Sequence, residues 1–256
     1  MLQHVTWLYL WIAPHVLVLC VAALMLRRNL HKEYPIFFSY LVFEFLQFCV
    51  LFGLHEVFTA GTSSRLLISI YQMTDMFGRA GSIALRFGIL HELFEMPLRD
   101  NAELRRSMTR ALNRMTAVLV VLAGVFIALA FYHDFRSWFF PPYLISLSLN
   151  VAQCGLLVLV FVWHRYLGVV MAPPSFGISV GMGLIACFEP LAHALKNILA
   201  EQRTVLPDFL QMMVYHLVVL GWLYFVLVRE KARSTSTPAV LDLRGQIAEV
   251  GRIVRL

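Results

Sequence analysis

Seven stretches of about twenty largely apolar residues constrain this chain more than any other feature, because that length crosses the hydrocarbon of a bilayer as a helix. They fall at roughly 5–26, 36–58, 66–96, 114–132, 142–166, 175–199 and 207–229. A backbone in lipid must satisfy its N–H and C=O groups internally, which leaves helices or closed barrels. The apolar residues run continuously rather than in alternation, so helices are expected. Charged residues make up only 14% of the chain and hydrophobic ones 60%, whereas soluble domains carry about a quarter charged. The expectation is an all-α integral membrane protein: a seven-transmembrane-helix bundle over 1–230, followed by a tail over 231–256.

The basic residues give the bundle a direction. Arg27, Arg28, Lys32, the five arginines of the 3–4 loop (99, 105, 106, 110 and 114), Arg165, and six basic residues from Arg229 onward would share one side. Arg65, Arg136, Lys196 and Arg203 would share the other. That is fifteen against four, which by the positive-inside rule puts the N-terminus outside and the C-terminus in the cytoplasm. The net charge of +6 is thereby explained without a nucleic-acid partner. A plasma or bacterial inner membrane suits this arrangement, with lipid as the first partner. The N-terminal "MLQHVTWLYL" has no basic n-region or cleavage site, and is expected to begin the first span. Trp7, Trp11 and Trp138 are expected at the outer interface and Trp163 at the inner one. In the tail, Thr237-Pro238 reads as a helix start. Val240, Leu243, Ile247, Val250 and Val254 then form an apolar stripe. It is expected to lie on the inner membrane surface, or with the 3–4 loop to receive a cytoplasmic or membrane protein partner.

Polar side chains inside the spans are the candidate functional residues, since intramembrane ionisable groups face a bundle interior or a wet cavity. Counting about 1.5 Å per residue from the outer surface puts Asp75 roughly 12 Å and Arg79 roughly 18 Å down span 3. Glu44 and Gln47 of span 2 reach a similar level. So do Asn150 and Gln153 of span 5, Glu189 and His193 of span 6, Tyr215 and His216 of span 7, and His15 of span 1. Arg79 is expected to contact Asp75, one turn away, or Glu44. Arg86 is expected near the inner boundary, snorkelling to water. A carboxylate at such depth keeps its proton or finds a cation. A small ligand with a positive group is therefore the leading candidate guest of the layer.

The chemistry of the layer leaves four readings open: a receptor-like or sensor-like protein binding that ligand, a small-solute or proton-coupled transporter, a metal-dependent membrane enzyme, and a scaffold subunit. Glu189 and His193, four residues apart, with His216, are the candidate divalent-metal ligands. "HELFE", His91 to Glu95, comes close to a metal-binding helix pattern but reads better as a solvated helix end. The seven-span architecture is similar to that of rhodopsins and heptahelical receptors. However, the last span, "FLQMMVYHLVVLGWLYFVLV", has no lysine, which excludes a retinal Schiff base at the usual position. The cysteines, Cys20, Cys49, Cys154 and Cys187, all lie in apolar runs without C-x-x-C spacing, so no disulfide or thiol metal site is expected. No internal repeat is evident, which weighs against a carrier built of duplicated halves.

Overall fold

The computed structural model describes residues 2–59, 65–96, 141–166, 172–198 and 206–228, with scattered helical positions between 110 and 125. Among these residues there is no strand. Six long helices are present: α1 (Leu2–Arg27), α2 (Pro35–Thr59), α3 (Arg65–Glu95), α4 (Pro141–Tyr166), α5 (Pro173–Ile198) and α6 (Leu206–Leu227). Three begin at a proline, whose missing N–H costs nothing in the first turn and whose fixed φ suits it. α1 ends where Asn29 takes the left-handed conformation at φ 58°, a backbone state that asparagine tolerates better than most residues. A single turn of 3₁₀ helix, Leu30–Lys32, then leads into α2.

Each helix packs on its neighbour in sequence and α6 returns to pack on α1, so the six close into a ring, with α3 also touching α5 across it. Cross-contacts fix the directions. Arg28, just past the end of α1, donates from Nη1 to the carbonyls of Val226 (2.6 Å) and Leu227 (3.1 Å), the last turn of α6. Tyr34 Oη and Ser175 Oγ, at the starts of α2 and α5, are 2.8 Å apart. Ser175 Oγ also donates to Met96 Sδ at 3.6 Å, just past α3. One end of the bundle, here the basic end, therefore holds the C-termini of α1, α3 and α6 and the N-termini of α2 and α5. α4 runs antiparallel to α5, because Phe161 near its end meets Phe176 near the start of α5. The helices thus alternate in direction as expected, except that α3 and α4 are parallel neighbours, as are α6 and α1.

The closed core lies in the basic half. Val18, Val21 and Met25 of α1 meet Phe37, Tyr40 and Leu41 of α2, Ile89 and Leu93 of α3, Leu156 and Val160 of α4, Met182 of α5 and Val219 and Trp222 of α6. Phe37 stands edge-on to Trp222 with centroids 5.2 Å apart, a favoured aromatic geometry. Gly177 and Gly181 bring α5 against α6: a Cβ on Gly181 would lie 2.2 Å from Trp222 Nε1, and one on Gly177 would lie 2.4 Å from Phe225 Cδ2. A pair of small residues four apart is how helices approach closely in membranes.

Among the described residues, four helices are long and apolar enough to cross a membrane: Leu8–Arg27, Pro35–Val57, Pro173–Ala192 and Leu206–Leu227. The outer surface carries large apolar side chains such as Leu19, Val50, Val158, Leu191 and Leu217, which fits lipid as the surrounding medium. One of the seven expected spans differs. α3 has the length but not the composition, because Asp75, Arg79, Arg86, Glu92 and Glu95 interrupt it. In α4 the side chains are described from Leu149 to Val162, and that stretch is apolar. The span expected at 114–132 and the 3–4 loop fall mostly outside the described residues, and the tail over 231–256 and Trp138 fall wholly outside. The side chains of Trp7, Trp163 and His193 are likewise not described.

Candidate functional site

In the distal half, opposite the basic end, the ring opens around a cavity of about 440 Å³. Its wall is shared by α1 (Leu10, Trp11, His15), α2 (Glu44, Gln47), α3 (Arg79, Ser82, Ile83, Arg86), α5 (Ile185, Phe188, Glu189) and α6 (Asp208, Gln211, Met212, Val214, Tyr215). The volume suits a small organic molecule. Of the residues expected from the sequence, Glu44, Gln47, Arg79, Glu189 and Tyr215 line it. Asn150 and Gln153 stand behind the wall, both buried. Asp75 and His216 are not on it; the His216 ring instead lies 6.0 Å from Tyr9.

The electrostatic centre is Arg86. Its Nη2 donates to Glu189 Oε1 at 2.9 Å, and Asn150 Nδ2 donates to Glu189 Oε2 at 2.8 Å. This corrects the expectation that Arg86 snorkels to water at the basic end. Helical side chains lean toward the N-terminus of their own helix, and in α3 that direction is the distal half. α5 runs the other way, so Glu189 leans toward the basic end, and the two meet. The depth count failed because α3 is 31 residues long. It exceeds the bilayer core, and its first turns lie beyond the level of the cavity.

Arg79 pairs with Asp75 at 2.9 Å, as spacing suggested, but this pair is the more exposed one, with 61% of the Arg79 side chain accessible. The alternative partner, Glu44, accepts a hydrogen bond from Ser82 Oγ across the α2–α3 contact. Gln153 Nε2 donates to the Ile83 carbonyl at 3.3 Å, tying α4 to α3. His15 Nδ1 donates to the Trp11 carbonyl at 2.8 Å, and its ring stacks on Phe48 at 4.0 Å. Trp11, expected at the outer interface, packs on Phe48, Phe52 and His55 and forms part of the cavity wall.

Several buried polar atoms of the cavity wall have no protein hydrogen-bond partner among the described residues: Arg86 Nε and Nη1, the Tyr215 hydroxyl and Gln47 Oε1. Buried polar groups are normally paired, so these atoms leave hydrogen-bonding capacity open on one cavity. No family model, curated protein or solved structure matches the chain. The reading of the site therefore rests on its own geometry.

Among the described residues no group of three His, Cys, Asp or Glu side chains is placed to share a metal ion. Both Glu189 oxygens are already engaged, and His216 lies off the cavity wall. The "HELFE" segment is also not a solvated end. Glu92 is buried, and its two oxygens accept the N–H groups of Ile36 and Phe37, each at 3.1 Å. A carboxylate from α3 thus caps the N-terminus of α2, where Tyr34 supplies no capping side chain. His91 and Glu95 are 3.8 Å apart on the same helix.

Sequence reasoning missed Arg86, Ser82, Asp208 and Gln211. For two of them the signal was present. Asp208, Gln211 and Tyr215 are spaced three and four apart in "DFLQMMVY", so they share a face of α6.

Proposed function

We propose that this chain is a seven-helix, receptor-like or sensor-like membrane protein that binds a small polar molecule in the distal cavity. The charge balance of the wall carries the reading. Arg79 is matched by Asp75, while Arg86, ion-paired to Glu189, is among the described residues the one cation whose charge also reaches Glu44. Two carboxylates thus share one guanidinium, and the hydrogen bond to Glu44 comes from a serine. A ligand with a positively charged amine supplies the second cation. An oxygen acceptor on the same molecule would meet the free N–H groups of Arg86 and the Tyr215 hydroxyl. The guest is thus a small amine that also carries a carbonyl, carboxyl or hydroxyl oxygen.

The seven-span topology is part of the proposal. α3 ends at the basic end and α4, being parallel to it, starts at the distal end. The chain from 97 to 140 has to return across the bundle between them, and its apolar run at 114–132 is long enough to do so. The basic end, carrying Arg27, Arg28 and Lys32, would then face the cytoplasm. Signal output would pass from that face to a partner protein.

Thermal-shift measurements on purified protein, using a panel of small amines with and without an acceptor oxygen, test the binding reading. Amines with an acceptor should raise the melting temperature of the wild type and not of Glu44→Gln. No shift with any member would remove the ligand-binding reading and leave a scaffold. Uptake of the same amine into vesicles would replace the receptor reading with a carrier.

A further inference from the structure

A second reactive feature lies on the outer face of the ring and takes no part in the cavity. Cys154 of α4 and Cys187 of α5 face each other with sulfurs 3.3 Å apart, on two helices that pack directly together. Both are free thiols; Cys187 is exposed and Cys154 half-buried. The surface around them is apolar, with Val151, Val158, Leu184 and Leu191 all turned outward, so the seam faces hydrocarbon. A disulfide needs its sulfurs at about 2.05 Å, so roughly 1.2 Å of approach separates the thiols from the closed bond.

We propose that Cys154 and Cys187 are a redox pair that closes to an interhelical disulfide, with a lipid-soluble quinone as oxidant. Two S–H bonds break and one S–S bond forms. The two electrons and two protons pass to the quinone, which becomes the hydroquinone. Water-borne reductants such as glutathione have poor access to this seam, so the oxidant that shares the lipid phase sets the state of the pair. The disulfide would act on the cavity through the adjoining turns. Asn150 lies one turn before Cys154 and Glu189 two residues after Cys187, and these two side chains are hydrogen-bonded to each other. Closing the disulfide fixes α4 against α5 at the point where Glu189 is held for Arg86.

The full chain in lipid nanodiscs, with Cys20→Ser and Cys49→Ser to remove the other thiols, tests this. The oxidant is a fully substituted benzoquinone, whose ring carbons offer no open position for thiol addition. The expected result is loss of both remaining thiols to maleimide labelling, one hydroquinone formed per chain, a peptide joining the segments around 154 and 187, and full reversal by a membrane-permeant phosphine. Adding Cys187→Ser should abolish hydroquinone formation while the protein still elutes as a folded monomer. Retention of both thiols after quinone exposure overturns the proposal, as does cross-linking only between chains.

Discussion

Arg86 and Arg79 lie on one helix, one matched to a carboxylate across the ring and the other to its own helical neighbour. Breaking a buried pair leaves an uncompensated charge and costs about 3–5 kcal/mol, whereas exposed pairs are worth about 0–1 kcal/mol. Arg86→Ala should therefore lower thermal stability strongly and Arg79→Ala weakly. The double variant Arg86→Ala/Glu189→Gln should recover part of the loss, since neither charge is then stranded. Equal melting temperatures for the two single variants would sink this assignment. Glu92 makes a separate case. Removing an N-cap costs about 0.5–2 kcal/mol, so Glu92→Ala should destabilise the fold while leaving amine binding at the distal cavity unchanged. Spacing alone drew attention to Arg79 and its one-turn partner Asp75. It could not reveal the Arg86–Glu189 pair, because that contact depends on which way two antiparallel helices lean their side chains.

Helices themselves were largely legible. The expected 36–58, 66–96 and 142–166 correspond within a residue to Pro35–Thr59, Arg65–Glu95 and Pro141–Tyr166, because apolar length and helix-starting prolines are local properties. What composition concealed is how they pack. The "GISVG" of α5 places Gly177 and Gly181 against the ring faces of Phe225 and Trp222, and Trp222 is almost wholly buried. Gly181→Ala would drive a methyl group into an indole with no room to retreat. Overpacking of this kind costs about 1–3 kcal/mol, so the variant should melt earlier than wild type. Gly221→Ala, whose added carbon meets nothing within 4 Å, should not. If both alanines are tolerated equally, the close α5–α6 approach is not what holds the pair.

At the scale of the molecule, the basic and distal ends differ in kind. One half is a packed apolar plug centred on Trp222, and the other is a polar chamber. Polar residues recurring at one level in several spans pointed to the chamber, but nothing in a single span pointed to the plug, since its apolar side chains look the same as those that face outward when a span is read alone. Cysteine labelling checks the proposed orientation. In a cysteine-free background, thiols introduced at Lys32 and Arg106 should be shielded from an impermeant reagent in intact cells, and one at Thr62 should react. Labelling at 32 and 106 from outside would invert the topology.

The Arg28 contact with the last turn of α6 also bears on how the chain is made. These partners are 198 and 199 residues apart, so α1 lacks these contacts until the whole stretch between them has been made. Until α6 arrives, Val18, Val21 and Met25 border an open seam where α6 will close the ring. A nascent chain stalled before Leu206 would present that seam to lipid, to a chaperone or to another chain. The ring thus has a single moment of closure, set by the ribosome and not by any of the earlier helices.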